Sequence, residues 1–405
     1  MEGRGPALET VVTGHGFDET DLVRGGLERS GWDETSEALI LTSGFVYGSA
    51  EEAEAAFAGE EDRYIYSRYG NPTVSMLQER LRLIEGAEAC YATASGMAAV
   101  FTSLISLLES GGRVVAARGL FGSCFVILDE LLPRWGITTT FVDGGDLDAW
   151  AEALADGADV VFFETPSNPM QGLVDVAAVS ALAHAAGAMV VVDNVFATPI
   201  FQRPLEFGAD VVVYSTTKHF DGHGRTLGGA ILGSESYISE RVQPFIRHTG
   251  PAMSPFNAWV VTKSLESLGV RVRAAASSAL AIARQLEVLE GIEQVWYPHL
   301  PSHPQHELAM RQMSGGGTVV TFEVAGGKQA AFDLLNALEV IDISNNLGDA
   351  KSLVTHPAST THRRLGAEVR ESMGITDGVV RISVGLESVE DLLGDITGAV
   401  EIATA

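Results

Sequence analysis

VVFFETPSNPMQGLVDVAAVSALAHAAGAMVVVDN, residues 160–194, holds two short apolar runs separated by a helix-length segment. Val160–Phe163 and Met189–Val192 are apolar on both faces, as strands covered by helices on both sides require. DVAAVSALAHAAGA between them is helical in composition. Strand, helix and strand in that order make a βαβ unit, whose strands lie parallel. The rhythm continues outward in Arg113–Ala116 (RVVA), Thr138–Val142 (TTTFV) and Val211–Tyr214 (VVVY), with DLDAWAEALADGA as another helical segment. TVSMLQERLRLIEG (73–86) heads the series as a periodic helix closed by a glycine. The pattern predicts an α/β fold whose mostly parallel, doubly wound sheet occupies the large domain, residues 67–264. Ligands of such sheets bind at the carboxyl ends of the strands.

The flanks read differently. Residues 1–66 carry short helical pieces, among them a small acidic helix near 50–58, and too few apolar residues for a core of their own. Such an arm packs on another domain or another subunit. Residues 265–405 alternate helices with the strand-like pieces GTVVTFEV (317–324), LEVIDIS (338–344) and VVRISVGL (379–386), a smaller α+β domain. The boundary is expected near residue 265, inside one long helix running from about Asn257 to Gly291.

Composition narrows the function classes. The 405 residues suffice for two or three domains of roughly 100–200 residues each. With 53 acidic against 26 basic residues the net charge is −27, which argues against a nucleic-acid or anionic-membrane partner. Cys90 and Cys124 are the only cysteines, too few for a disulfide framework or a structural zinc cluster. The opening MEGRGPALETVVTG lacks the apolar core of a secretory signal, and the longest apolar run, AAGAMVVV, is too short to span a bilayer. A soluble cytoplasmic protein is expected.

Polar clusters follow three successive apolar runs: ETPSNP (164–169), DNVFATP (193–199) and STTK (215–218). The last opens YSTTKHFDGHGRTLGG (214–229), which could hold phosphate, ligate metal or offer Lys218 as a reagent. A phosphate loop needs its lysine after the glycines, whereas Lys218 precedes them. His219 and His223 have the i,i+4 spacing of a zinc helix, but no glutamate lies between them and Gly222 and Gly224 disfavour a helix. No metal is expected. The amine reading fits best. A lysine among hydroxyls can form a Schiff base with pyridoxal phosphate (PLP), which also needs a carboxylate for its ring nitrogen and donors for its phosphate. Asp193 supplies the first; Ser215, Thr217 and the backbone of Ser95, Gly96 and Met97 at a helix start supply the second. The glycines after Lys218 would let backbone pass close to the ring and turn away.

At these residues the sequence resembles the PLP enzymes of sulfur amino-acid metabolism, the family of cystathionine synthases and lyases and methionine γ-lyase. The resemblance runs from about residue 20 to the end through YSRYGNPT (66–73), ASGMAA (94–99), ETPSNP, VVVDN (190–194), the lysine stretch, LGDAKSLVTHPASTTH (347–362) and VRISVGLE (380–387). It implies the type I fold of PLP-dependent transferases and assigns roles by position. Lys218 is the Schiff-base lysine and proton carrier, and Asp193 pairs with the ring nitrogen. Ser95, Gly96, Met97, Ser215 and Thr217 hold the phosphate. Tyr66, placed with Lys218 in the catalytic set, and Arg68 reach the neighbouring subunit's site, which implies a homo-oligomer, a dimer at least and a tetramer by family habit. Arg381 grips the substrate carboxylate, and Asn168, Asn346 and Thr361 help orient substrate. His219 departs from the aromatic residue usual after the lysine, keeping a flat ring.

Two departures suggest the subgroup. Phe121, in GLFGSC, stands where lyases and cystathionine synthases carry a ring-stacking tyrosine, and Ser123 stands where methionine γ-lyases carry cysteine. Together with LPSHPQHELA (300–309), SPFNAW (254–259) and ISNNLGD (343–349), Phe121 resembles the O-succinylhomoserine sulfhydrylases of the family. The implied reaction is γ-replacement on O-succinyl-L-homoserine by sulfide, giving homocysteine and succinate for methionine biosynthesis. Cysteine as acceptor, an acetyl donor, and a cofactor-free binding protein on the same fold are the alternatives.

Overall fold

The computed structural model describes residues 18–404, so the leader reading and the first 17 residues of the arm lie outside the described residues. Its first sheet has seven strands: β1 (Ala89–Thr93), β2 (Arg113–Ala117), β3 (Thr138–Val142), β4 (Val160–Glu164), β5 (Met189–Asp193), β6 (Val211–Tyr214) and β7 (Gly229–Gly233). Their order is β1-β7-β6-β5-β4-β2-β3. The run from β3 to β6 is parallel, and only β7 runs against its neighbours β1 and β6. The mostly parallel sheet is as expected.

Burial explains the all-apolar strands. Along β4, Val160 and Phe162 pack into one core, against helix Gly96–Ile105. Val161 and Phe163 pack into another, against helices Leu147–Leu154 and Val176–Ala185. Each face is closed by helices, so neither side of the strand can be polar. The helix expected over 73–86 spans Pro72–Glu85. Asn71 caps it by accepting from Thr73 N, Pro72 fits the first turn, and Gly86 ends it at φ 78°.

β1 and β7 have no counterpart in the sequence reading. ACYAT and GAILG are rich in Ala and Gly and carry little strand signal, and a glycine-rich turn precedes β7.

The second sheet contains β8 (Ile292–Trp296), β9 (Val319–Val324), β10 (Asp342–Ile343), β11 (Leu353–Thr355) and β12 (Val379–Ser383), ordered β10-β11-β12-β9-β8. Helices Leu268–Leu286, Gly327–Ala337 and Val389–Thr404 cover it. The expected long helix is two, Pro255–Leu265 and Leu268–Leu286, because the chain turns at residues 266–267. Of LEVIDIS, only Asp342–Ile343 forms a strand, an exposed pair at the sheet edge. β8 and β11 lack counterparts in the sequence reading, the first because its IEQVW pattern is interrupted by a bulge beside β9.

The described part of the arm contains helices Glu19–Arg24 and Ala50–Ala58. Between them Glu37 fastens it to the large sheet's helices. Arg80 Nη2 donates to Glu37 Oε1 at 2.7 Å, Lys263 Nζ to Oε2 at 2.8 Å, and Trp259 Nε1 to its carbonyl at 2.8 Å. Among the described residues no helix is long and apolar enough to cross a membrane.

Candidate active site

β4, β5 and β6 are neighbours, so the three polar clusters that follow them meet along one sheet edge. A cavity of about 270 Å³ opens there, and β12 of the second sheet closes its other side through Arg381. Its lining brings together Lys218, Asp193, Ser95, Gly96, Met97, Phe121, Ser215 and Thr217 with Asn168 and Arg381.

One end is shaped for an anion. Helix Gly96–Ile105 begins at this wall, with the Ser95 side chain occupied in capping Ala98 N at 3.1 Å. The first amides of the helix therefore remain to face the cavity. A Cβ on Gly96 would stand 2.6 Å from the Ser215 Cβ, so only glycine lets the helix start approach Ser215 this closely. Thr217 Oγ1 accepts from Gly228 N at 3.1 Å, which pins the loop end beside it.

Lys218 Nζ donates to Asn346 Oδ1 at 2.6 Å. Burial, and secondarily the charge of Arg381, lower its pKa to about 8, so a substantial share of the amine is neutral at mildly alkaline pH. Asp193, at the end of β5, accepts from Val195 N at 3.0 Å, and burial pushes its carboxyl up to about 6. Such a carboxylate gains from a cationic partner, and a protonated ring nitrogen is one. Arg381 is fully buried in β12. Nη1 donates to Asn168 Oδ1 at 2.9 Å, and Nη2 to the carbonyls of Asn345 and Asn346 at 3.1 and 3.3 Å. Neutral acceptors orient the guanidinium without cancelling its charge, the state suited to clamping a substrate carboxylate.

Lysine, carboxylate, helix start and arginine thus fit PLP and an amino acid together. Bound there, the cofactor would supply an electron sink that acidifies the substrate's Cα–H.

Several expected residues lie elsewhere. Tyr66 and Arg68 sit on the approach to helix Pro72–Glu85, away from Lys218; Arg68 stacks over Tyr69 and donates to the Arg247 carbonyl. Thr361 is not among the lining residues of the Lys218 cavity. Its carbonyl instead packs over Gly122, and its hydroxyl pairs with His362 Nδ1 at 2.8 Å, beside an apolar cavity of about 530 Å³. Ser123 is exposed and lines that same outer cavity. His219 is buried, paired with Thr318 Oγ1 at 2.7 Å and packed under Gly348, whereas His223 is exposed on the following turn. Gly222, Gly224, Gly228 and Gly229 are not among the cavity's lining residues, but a Cβ on Gly229 would collide with the carbonyl oxygen of Ser95, which does line it. Gly222 turns the chain at φ 66°, where a Cβ would collide with the Arg271 guanidinium.

Glu164, Cys124 and Asn345 were not given roles in the sequence reading, yet they line the cavity. Glu164 carries a readable signal: an acid ending an apolar strand at the site edge. Cys124, Glu164 and Asp193 also form the one group of three possible metal ligands among the described residues. Burial raises the pKa of the thiol and of both carboxyls.

Similarity to known proteins accords with this chemistry. Residues 19–401 match the family model described as Cys/Met metabolism PLP-dependent enzyme. The chain is 64% identical to O-succinylhomoserine sulfhydrylase of Mycobacterium tuberculosis, over 93% of this chain and 94% of that protein. It is 47% identical to O-succinylhomoserine sulfhydrylase of Pseudomonas aeruginosa, over 96% of each. Among solved structures, cystathionine gamma synthase from Xanthomonas oryzae pv. oryzae in complex with cystathionine superimposes with a TM-score of 0.91 at 34% identity, over 95% of this chain and 98% of that one. The chain belongs to the family of PLP-dependent enzymes of cysteine and methionine metabolism.

Proposed function

We propose that the chain catalyses γ-replacement on O-succinyl-L-homoserine with sulfide, forming L-homocysteine and succinate. The observation that carries the choice of substrate is the 64% identity over nearly the whole chain to a protein named for that donor and that reaction. In the balance the Cγ–O bond breaks, succinate leaves with its electron pair, and a Cγ–S bond forms.

The residues divide the work. Arg381 binds the substrate α-carboxylate by its paired N–H groups, with Asn168 holding its orientation. Lys218 Nζ takes the Cα proton and later returns one, a role its lowered pKa supports. Asn346 steers that amine through the 2.6 Å contact. Asp193 would pair with the ring nitrogen, while the amides of Gly96 and Met97 with the hydroxyls of Ser215 and Thr217 would hold the phosphate. Phe121 would stack on the ring without offering a hydroxyl. A carboxylate departs readily without a strong acid, so succinate needs no tyrosine there.

The site is completed by a second copy of the chain. Tyr66, 42% exposed, and Arg68 serve the partner's phosphate, and the arm also presents Trp32, Leu41, Val46 and Phe57 to its surroundings. Apolar side chains on a segment with so little core of its own support a subunit contact. A homodimer is the smallest working assembly, and a tetramer pairs two of them.

The test follows succinate release from O-succinylhomoserine by purified protein with PLP and sulfide. Succinate and homocysteine formed in equal amounts, and lost in Lys218→Ala, is the expected result. Succinate release unaffected by Lys218→Ala would overturn the proposal.

A further inference from the structure

Glu164 ends β4 and stands in register with Asp193 at the end of β5. Residues paired this way on parallel strands project to the same side of the sheet. Their carboxylate oxygens and the Cys124 Sγ all lie within 4.8 Å of one another. One Glu164 oxygen accepts the Phe121 N–H at 2.7 Å. A single side chain therefore holds the Phe121 backbone and stands beside Asp193, the residues that would stack on the ring and pair with its nitrogen.

Glu164 is also part of the wall between two spaces. It lines the Lys218 cavity and an outer cavity of about 960 Å³. Arg118, the one Lys or Arg lining the outer cavity among the described residues, turns Nη2 to the Phe141 carbonyl. The groups that face Glu164 are Asp193 from β5, the Cys124 thiol from helix Gly122–Val126, and the N–H groups of Phe121 and Asn168. None is a cation. Two buried carboxylates this close do not both carry charge in the unloaded protein, and a protonated ring nitrogen beside Asp193 would favour leaving the charge on Asp193 and the proton on Glu164.

We propose that Glu164 is a positioning residue protonated in the working enzyme: as a neutral acid it holds Phe121, and it leaves the pair's single negative charge to Asp193. Burial and the charge of Asp193 raise its pKa well above the carboxylate range, against the opposing N–H groups and thiol. The proposal rests on Asp193 being the partner of the ring nitrogen.

The infrared difference spectrum between the cofactor-loaded protein and its Glu164→Gln variant at neutral pH is the direct test. Loss of a protonated-acid carbonyl band in the variant is expected; loss of carboxylate bands instead would overturn the proposal. A second arm measures PLP affinity. Glu164→Gln, which mimics the neutral acid, should stay within about twofold, whereas Glu164→Ala should weaken binding about tenfold or more. Equal losses in both variants would mean a charge was needed, and no loss in Glu164→Ala would mean nothing is positioned; either overturns the proposal. Failure of the wild type to bind PLP would instead sink the cofactor reading, while the same spectrum of the unloaded chain still decides the Glu164 proton.

Discussion

Lys218 carries the most chemistry of any single residue, and its environment sets when it can act. Burial first, and the positive Arg381 second, let its ammonium lose a proton at about 8, below the ordinary 10.5. Cofactor capture requires the neutral amine. Its rate in stripped protein should therefore climb about tenfold per pH unit below 8 and level off above it. Stopped-flow absorbance across pH 6–10 checks this, and a rate still climbing tenfold per unit at pH 9.5 would refute it. Arg381 works by the opposite logic: burial lowers its pKa only to about 10, so it stays charged wherever the lysine is being titrated.

Elements bring these side chains together, and here sequence legibility was uneven. The parallel strands were readable because burial on both faces forces all-apolar runs such as VVFF and MVVV. β1 and β7 were not, because Ala and Gly strands are defined by what they pair with. Lys218, Asp193 and Gly96 could be found from residue type beside strand ends and a helix start. Asn346 and Arg381 came only through family resemblance, since no local pattern says that a distant sheet will close over the lysine. Thr361 likewise came through resemblance alone, since spacing along the chain does not reveal that its carbonyl packs over Gly122. The arm's attachment is equally a matter of tertiary contact. Glu37 is the only carboxylate paired with the fully buried Arg80 among the described ion pairs. Glu37→Ala should lower unfolding stability by about 3–5 kcal/mol, because a buried charge is left alone. Chemical denaturation measures it, and a change below about 1 kcal/mol would show that water reaches Arg80.

At the scale of the whole molecule, Lys218 and Arg68 belong to one site only if two chains share it. Lys218→Ala and Arg68→Ala proteins should each be nearly inactive alone. Mixed after dissociation and reassociation, they should recover up to about a quarter of the sites, since half of the dimers are mixed and each has one intact site. No recovery in a mixture proven to contain mixed dimers would place Arg68 in its own chain's site. The central claim concerns the reaction itself. It is tested most directly by product analysis with O-succinyl- and O-acetyl-homoserine, each offered sulfide and cysteine. The account predicts homocysteine from the succinyl donor and sulfide as the dominant product; cystathionine as the dominant product, or preference for the acetyl donor, would contradict it.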